Sequence, residues 1–220
     1  RFTDLNLIPK GTDGYYQSFV FKPSTNPHEK AGFIYSEEDS TVNGRNVISF
    51  IDNKAETTVV IGAHYDHLGY GGDGSLYREE AEAIHNGADD NASGVAILLD
   101  LAQRLSSDEQ TSSNNYLFIA FSGEEMGLLG SNYFVKNPTI DTKKVSYMLN
   151  RDIPVLHFFT GQHTDYHKPS DDSDKLNYEG MELISNYIYN IITDLDNNGQ
   201  LTFRKTKNES EDVPAFKVAL

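Results

Sequence analysis

The sequence predicts an α/β domain of three layers, an α/β/α sandwich in which helices cover both faces of a mostly parallel central sheet. Three observations carry that prediction. Strand-like and helix-like segments alternate along the chain, two of the strand-like runs are apolar without alternation, and the polar turns that follow the strands gather imidazoles and carboxylates. At 220 residues the chain has the size of one domain and length enough to bury a sizeable core. No internal repeat or low-complexity segment interrupts it.

Taken in order, Tyr15 to Phe21 and Asn46 to Ile51 are rich in β-branched and aromatic residues and read as strands. Thr57 to Gly62 is a short continuous apolar run, as expected of a strand buried on both faces. Gly94 to Leu105 carries Val95, Leu98, Leu99, Leu101, Ala102 and Leu105 at helical spacing, and Tyr116 to Phe121 is a second buried-type strand. Glu125 to Val135 reads as a helix, Val145 to Leu149 and Ile153 to Phe159 as strands, and Met181 to Leu195 as a long amphipathic helix. Sheets of this class place their sites just beyond the carboxyl ends of strands.

Composition narrows the function. A formal charge of −15 without a basic stripe excludes nucleic acid as a partner. No stretch approaches the roughly 20 apolar residues of a membrane span, and the first residues lack a signal pattern, so a soluble protein, or a mature form whose signal has been removed, is expected. The absence of cysteine removes disulfides and thiolate metal sites. Most of the carboxylates belong on a solvated surface, but those gathered in motifs would be offset by bound cations, and an acidic rim would draw substrates bearing an ammonium group.

Five motifs carry the chemistry: His64-Tyr65-Asp66, Gly87-Ala88-Asp89-Asp90-Asn91, Gly123-Glu124-Glu125, Asn150-Arg151-Asp152 and Tyr166-His167. Together they offer imidazole and carboxylate enough for two metal ions and a base. His64 emerges from a strand end, and Asp66 two residues on is placed to orient its ring. Asp89 and Asp90 read either as ligands or as a helix-capping pair. Glu124 and Glu125 read either as a ligand beside a free base or as an acidic pair in a first helical turn. Taken singly, each motif has an ordinary structural reading; jointly they point to a metallohydrolase.

The runs Gly62-Ala63-His64-Tyr65-Asp66, Gly87-Ala88-Asp89-Asp90-Asn91-Ala92-Ser93-Gly94, Phe121-Ser122-Gly123-Glu124-Glu125-Met126-Gly127-Leu128 and Met148-Leu149-Asn150-Arg151-Asp152 resemble the di-zinc aminopeptidases of the aminopeptidase Y and leucyl aminopeptidase type. Glutamate carboxypeptidase-like enzymes and glutaminyl cyclases are related to them. The resemblance implies the zinc-dependent exopeptidase fold and two Zn2+ per chain, with cobalt or manganese as substitutes. It implies that Asp90, four residues before the glycine that opens the helix, is shared between the ions. His64 and Asp152 would complete one site, and Glu125 and His167 the other. Glu124 would be the general base, Asp66 the group orienting His64, and Tyr166 a donor to the developing oxyanion. The implied activity is removal of N-terminal residues from peptides with a free N-terminus, in a secreted or periplasmic protein.

The chain departs from that family at one junction. Asp152 runs directly into Ile153, whereas in the family a long segment with a crossover helix separates the two strands, so a family segment is expected to be missing there. Val213 to Leu220 ends on an apolar run, as though a further domain followed. A mono-zinc acyltransferase of the glutaminyl cyclase kind would need only Asp90, Glu125 and His167, and a non-catalytic remnant would need none of the site. Asp194-Leu195-Asp196-Asn197-Asn198-Gly199 matches half of a calcium loop, but Lys205 stands where the glutamate is needed, so a turn is expected. His28, His85, His157 and His163 read as ordinary histidines, His85 and His163 being near enough in sequence to line the cleft.

Overall fold

A computed structural model describes residues 1–22, 32–34, 41–72, 74–79, 81–107, 112–147, 156–159, 161–199 and 201. Among them, seven strands form one sheet: β1 (Ile8–Pro9), β2 (Tyr16–Lys22), β3 (Gly32–Ile34), β4 (Val42–Ile51), β5 (Thr57–His64), β6 (Asn114–Phe121) and β7 (Val145–Tyr147). Three helices accompany it: α1 (Gly94–Ser107), α2 (Leu129–Lys136) and α3 (Tyr178–Leu195). The strand order is β3-β2-β4-β6-β5-β7, with β1 paired to β4.

Every residue of β6 is buried, as its unbroken apolar pattern requires of a central strand. Its side chains divide by the two-residue period of a strand. Tyr116, Phe118 and Ala120 pack with Leu98, Leu101, Ala102 and Leu105 of α1 and Ile192 of α3. Leu117, Ile119 and Phe121 face the other way, against Phe134 of α2. Two helices on one face and one on the other make the three layers expected.

The sheet itself is mixed rather than mostly parallel among the described residues. β6–β5 and β5–β7 are parallel, whereas β1–β4, β2–β3, β2–β4 and β4–β6 are antiparallel. The connections explain the difference. α1 provides the crossover that parallel β5 and β6 require, whereas among the described residues no helix precedes β5 to carry the earlier strands into parallel register.

Two further expectations change. α2 begins at Leu129 instead of Glu125, because Gly123, Gly127 and Leu128 all take left-handed backbone conformations and turn the chain before the helix starts. Residues 156–159 form no strand, although Ile153 to Phe159 is apolar. The eight residues between β7 and Leu156 are too few for the crossover that a parallel neighbour would need. Leu156 and Phe159 are exposed instead, and the aromatic rings find Tyr166 and Tyr187. Asp152 and the junction with Ile153 lie outside the described residues, as do His28 and the segment from 202 onward. No helix among the described residues is long and apolar enough to cross a membrane.

The half calcium loop is a structural turn, as expected. Asp196 follows α3, and its carboxylate accepts hydrogen bonds from Ser112 Oγ (2.5 Å), the Ser113 N–H (2.7 Å), Asn114 Nδ2 (3.1 Å) and the Tyr116 hydroxyl (3.3 Å), tying the end of the helix to the start of β6. Partial burial pushes its pKa up, but these bonds outweigh that and hold it below the usual carboxylate range. A depressed folded pKa stabilises above the unfolded value and is lost as pH falls through the folded one. Asp196→Asn should therefore lower stability by about 1–3 kcal/mol at neutral pH. The gap should close in acid, as chemical denaturation across pH would show; an equal gap in strong acid would reject the assignment.

Candidate metal centre

Two strand ends and two loops build the site among the described residues. His64 is the last residue of β5, and the chain leaves β6 at Phe121 directly into Glu124 and Glu125. Because β5 and β6 are parallel and pair His64 with Phe121, the two exits lie side by side. Asp66 then secures the turn between them. Its Oδ1 accepts from the Glu124 N–H at 3.1 Å and its Oδ2 from the Glu125 N–H at 3.3 Å. This differs from the orienting contact expected of Asp66. His64 Nδ1 lies 3.1 Å from the Asp66 backbone carbonyl and 3.8 Å from the carboxylate, so the main chain holds the ring while the carboxylate holds the two glutamates.

Asp89 and Asp90 do not cap α1. Asn91 Oδ1 accepts from the Gly94 N–H at 3.1 Å and does that work. The buried Asp171 takes the main-chain N–H groups of Asp89 (3.0 Å) and Asp90 (3.2 Å). The Asp90 carboxylate is thereby left to face the histidines. Its Oδ1 lies 3.2 Å from His64 Nε2 and its Oδ2 3.2 Å from His167 Nε2. His167 Nε2 is also 3.3 Å from Glu125 Oε2, and its Nδ1 donates to the Gly74 carbonyl at 2.7 Å, which aims Nε2 into the cluster.

These separations suit a cation. Two ligand atoms on one tetrahedral zinc, each at about 2.0–2.1 Å, lie about 3.3 Å apart. His167 Nε2 is buried and, like Nε2 of His67 and of His163, has no hydrogen-bond partner. Ligand-type atoms of His64, Glu124 and Glu125, and again of His67, Asp90 and Glu125, lie within 4.8 Å of one another.

The electrostatics agree. Burial pulls the His64 pKa down, but the hydrogen bond to Asp90 and the charges of Glu124, Asp66 and Asp90 push it up to about 9. A proton there occupies a position built to hold positive charge. Glu124 is more exposed than Glu125, 35% against 8%, and stands 3.9 Å from His64 Nε2. Burial raises its pKa; His64 pulls it down, and Glu125, Asp66 and Asp90 push it up again. Tyr166 stacks on His167 with ring centroids 3.9 Å apart. Burial and the charges of Asp90, Glu125 and Glu124 raise its pKa, so its phenol keeps its proton and can donate.

Of the expected site residues, His64, Asp66, Asp90, Glu124, Glu125, Tyr166 and His167 come together, and Asp152 is outside the described residues. His163 joins them, its Nε2 3.4 Å from Asp89 Oδ2. His85 is buried behind the site, paired with Ser75 Oγ at 2.8 Å and the Ala83 carbonyl at 3.0 Å, and does not line the cleft. His67 is the neighbour that motif reading leaves out. Its Nδ1 lies 2.8 Å from Glu125 Oε1, and its ring fills the space at Gly87, where a Cβ would come within 2.5 Å of His67 Cγ and φ is +62°. Its position three residues after His64 is the only sequence signal for it.

Residues 46–153 match the sequence profile described as Peptidase family M28. A probable leucine aminopeptidase of Trichophyton verrucosum is 29% identical over 165 residues, covering 68% of this chain and 42% of that protein. The chain thus spans less than half the length of this relative. Among solved structures, a Zn-dependent exopeptidase from Parabacteroides distasonis superposes with a TM-score of 0.59 at 16% identity, over 80% of this chain and 84% of that one. A glutaminyl cyclase from Fimbriiglobus ruber gives 0.60 at 14% identity, over 79% of each. At such identities the likeness is one of fold. The sequence match is more specific, since His64, Asp90 and the Glu124-Glu125 pair all fall inside it, and over residues 46–153 the chain is similar to peptidase family M28.

Proposed function

We propose that this protein is a zinc metallopeptidase that removes N-terminal residues from peptides. The observation that carries the reading is the Asp90 carboxylate, which presents one oxygen to His64 and the other to His167 at 3.2 Å each, the arrangement of a ligand shared by two ions. His64 and Asp90, with Asp152, would hold one ion; Asp90, Glu125 and His167 would hold the other. The nitrogen and oxygen donor set suits zinc and admits cobalt or manganese. Bound divalent ions supply polarisation of the scissile carbonyl and acidification of water.

The remaining chemistry belongs to the side chains. Glu124, near the cluster but less enclosed than Glu125, takes the proton of the attacking water and returns it to the leaving amine. Tyr166 donates to the oxygen on which charge develops. The carboxylates around the cleft favour a substrate with a free ammonium group. A secreted or periplasmic location accompanies this reading. A single-ion, cyclase-like site would leave His64 beside Asp90 without a task.

Zinc content and terminal specificity test the proposal together. Protein equilibrated with modest excess zinc and desalted should contain about two ions per chain. It should hydrolyse an aminoacyl p-nitroanilide and leave the N-acetylated form intact. One zinc or none would reject the shared-ligand site, and cleavage of the acetylated compound would reject exopeptidase action.

A further inference from the structure

His67 stands beside the cluster but its contact differs in kind: its Nδ1 is 2.8 Å from Glu125 Oε1, whereas His64 and His167 stand 3.2 to 3.3 Å from Asp90 and Glu125 oxygens. The shorter distance is that of a charge-assisted hydrogen bond, and the longer ones match the spacing of two ligands on one zinc. An ionised carboxylate only accepts, so Nδ1 carries the proton. The Glu125 carboxylate is thereby divided, with Oε1 engaged by His67 and Oε2 facing His167 Nε2 at 3.3 Å.

We infer that His67 is a positioning residue: its Nδ1–H locks Glu125 so that Oε2 alone is offered to the cation. Both side chains are only 8% exposed, so water does not compete strongly for the bond. The ring is held from three sides. It meets the His167 ring edge-on at 5.7 Å between centroids, lies 6.4 Å from that of His85, and occupies the space left by the missing side chain of Gly87. Groups that orient a metal ligand in this way commonly contribute 10- to 100-fold in affinity. The inference rests on the metallopeptidase reading above.

The test is zinc affinity, measured by competition with a chromophoric chelator on the whole chain. His67→Leu fills similar space without a donor and should weaken one of the zinc equilibria by about 10- to 100-fold. His67→Asn places an amide N–H near the position of Nδ1 and should restore binding close to wild type. Unchanged affinity in His67→Leu, or equal losses in both variants, would overturn the positioning role. Imidazole 15N correlations in the zinc-loaded wild type read the same bond without any substitution. The Nδ1–H tautomer of His67 is expected, and the Nε2–H tautomer would overturn the inference even if His67→Leu failed to fold. Failure of the wild type to take up zinc would reject the metallopeptidase reading itself and the inference with it.

Discussion

Glu124→Gln is expected to keep zinc uptake intact and to lower kcat by about 10²- to 10⁴-fold, the usual worth of a general base. The amide keeps the shape of the carboxylate but cannot accept the proton of water. Proximity alone does not separate base from ligand here, since Glu124 and Glu125 both lie within ligand reach of His64. Contacts and exposure do separate them, since Glu125 meets His67 at 2.8 Å and His167 at 3.3 Å. Glu124 stands 3.9 Å from His64 Nε2, where Asp90 stands at 3.2 Å, and its side chain is 35% exposed, whereas Glu125 is enclosed. Zinc content and steady-state kinetics on the same preparation decide the matter. Loss of zinc would make Glu124 a ligand, and retained turnover would show that the proton goes elsewhere.

Asp90→Asn should have the larger effect on metal. An amide in place of the shared carboxylate removes a negative charge from both sites at once, so zinc should fall from about two ions per chain to one or none. Turnover should drop by at least about 10³-fold, corresponding to several kcal/mol of lost charge stabilisation. Asp89→Asn is the matched control. Asp89 faces His163 at 3.4 Å rather than either of the paired histidines, so both ions should remain. If Asp89→Asn loses zinc while Asp90→Asn retains it, the bridging assignment is reversed.

Much of this centre is legible in the sequence because strand ends mark it. His64 and the Glu124-Glu125 pair follow apolar runs that can only be buried strands, and burial of those runs in parallel register brings the two exits together. The choice of Asp90 over Asp89 comes from the family resemblance and not from local pattern. Local reading goes wrong where long-range contacts take over. Apolar residues 156–159 satisfy strand propensity, yet they form no strand, and the eight residues that join them to β7 are too few for a parallel crossover. The start of α2 depends on the left-handed turns at Gly127 and Leu128 and on Asp66, which takes the Glu124 and Glu125 N–H groups from 58 and 59 residues away.

The sequence by itself determined the alternation of strands and helices, the buried central strand, and the residue types able to bind metal, because those follow from periodicity and from side-chain chemistry over a few neighbouring positions. Only the tertiary structure decided that the sheet is mixed, that Asp171 reaches 82 residues back to set Asp89, that the Gly74 carbonyl aims His167 from 93 residues away, and that His67 meets Glu125 Oε1. Those contacts join segments distant along the chain, and their energies depend on burial and on angstrom-scale approach, quantities that exist only once the core has packed.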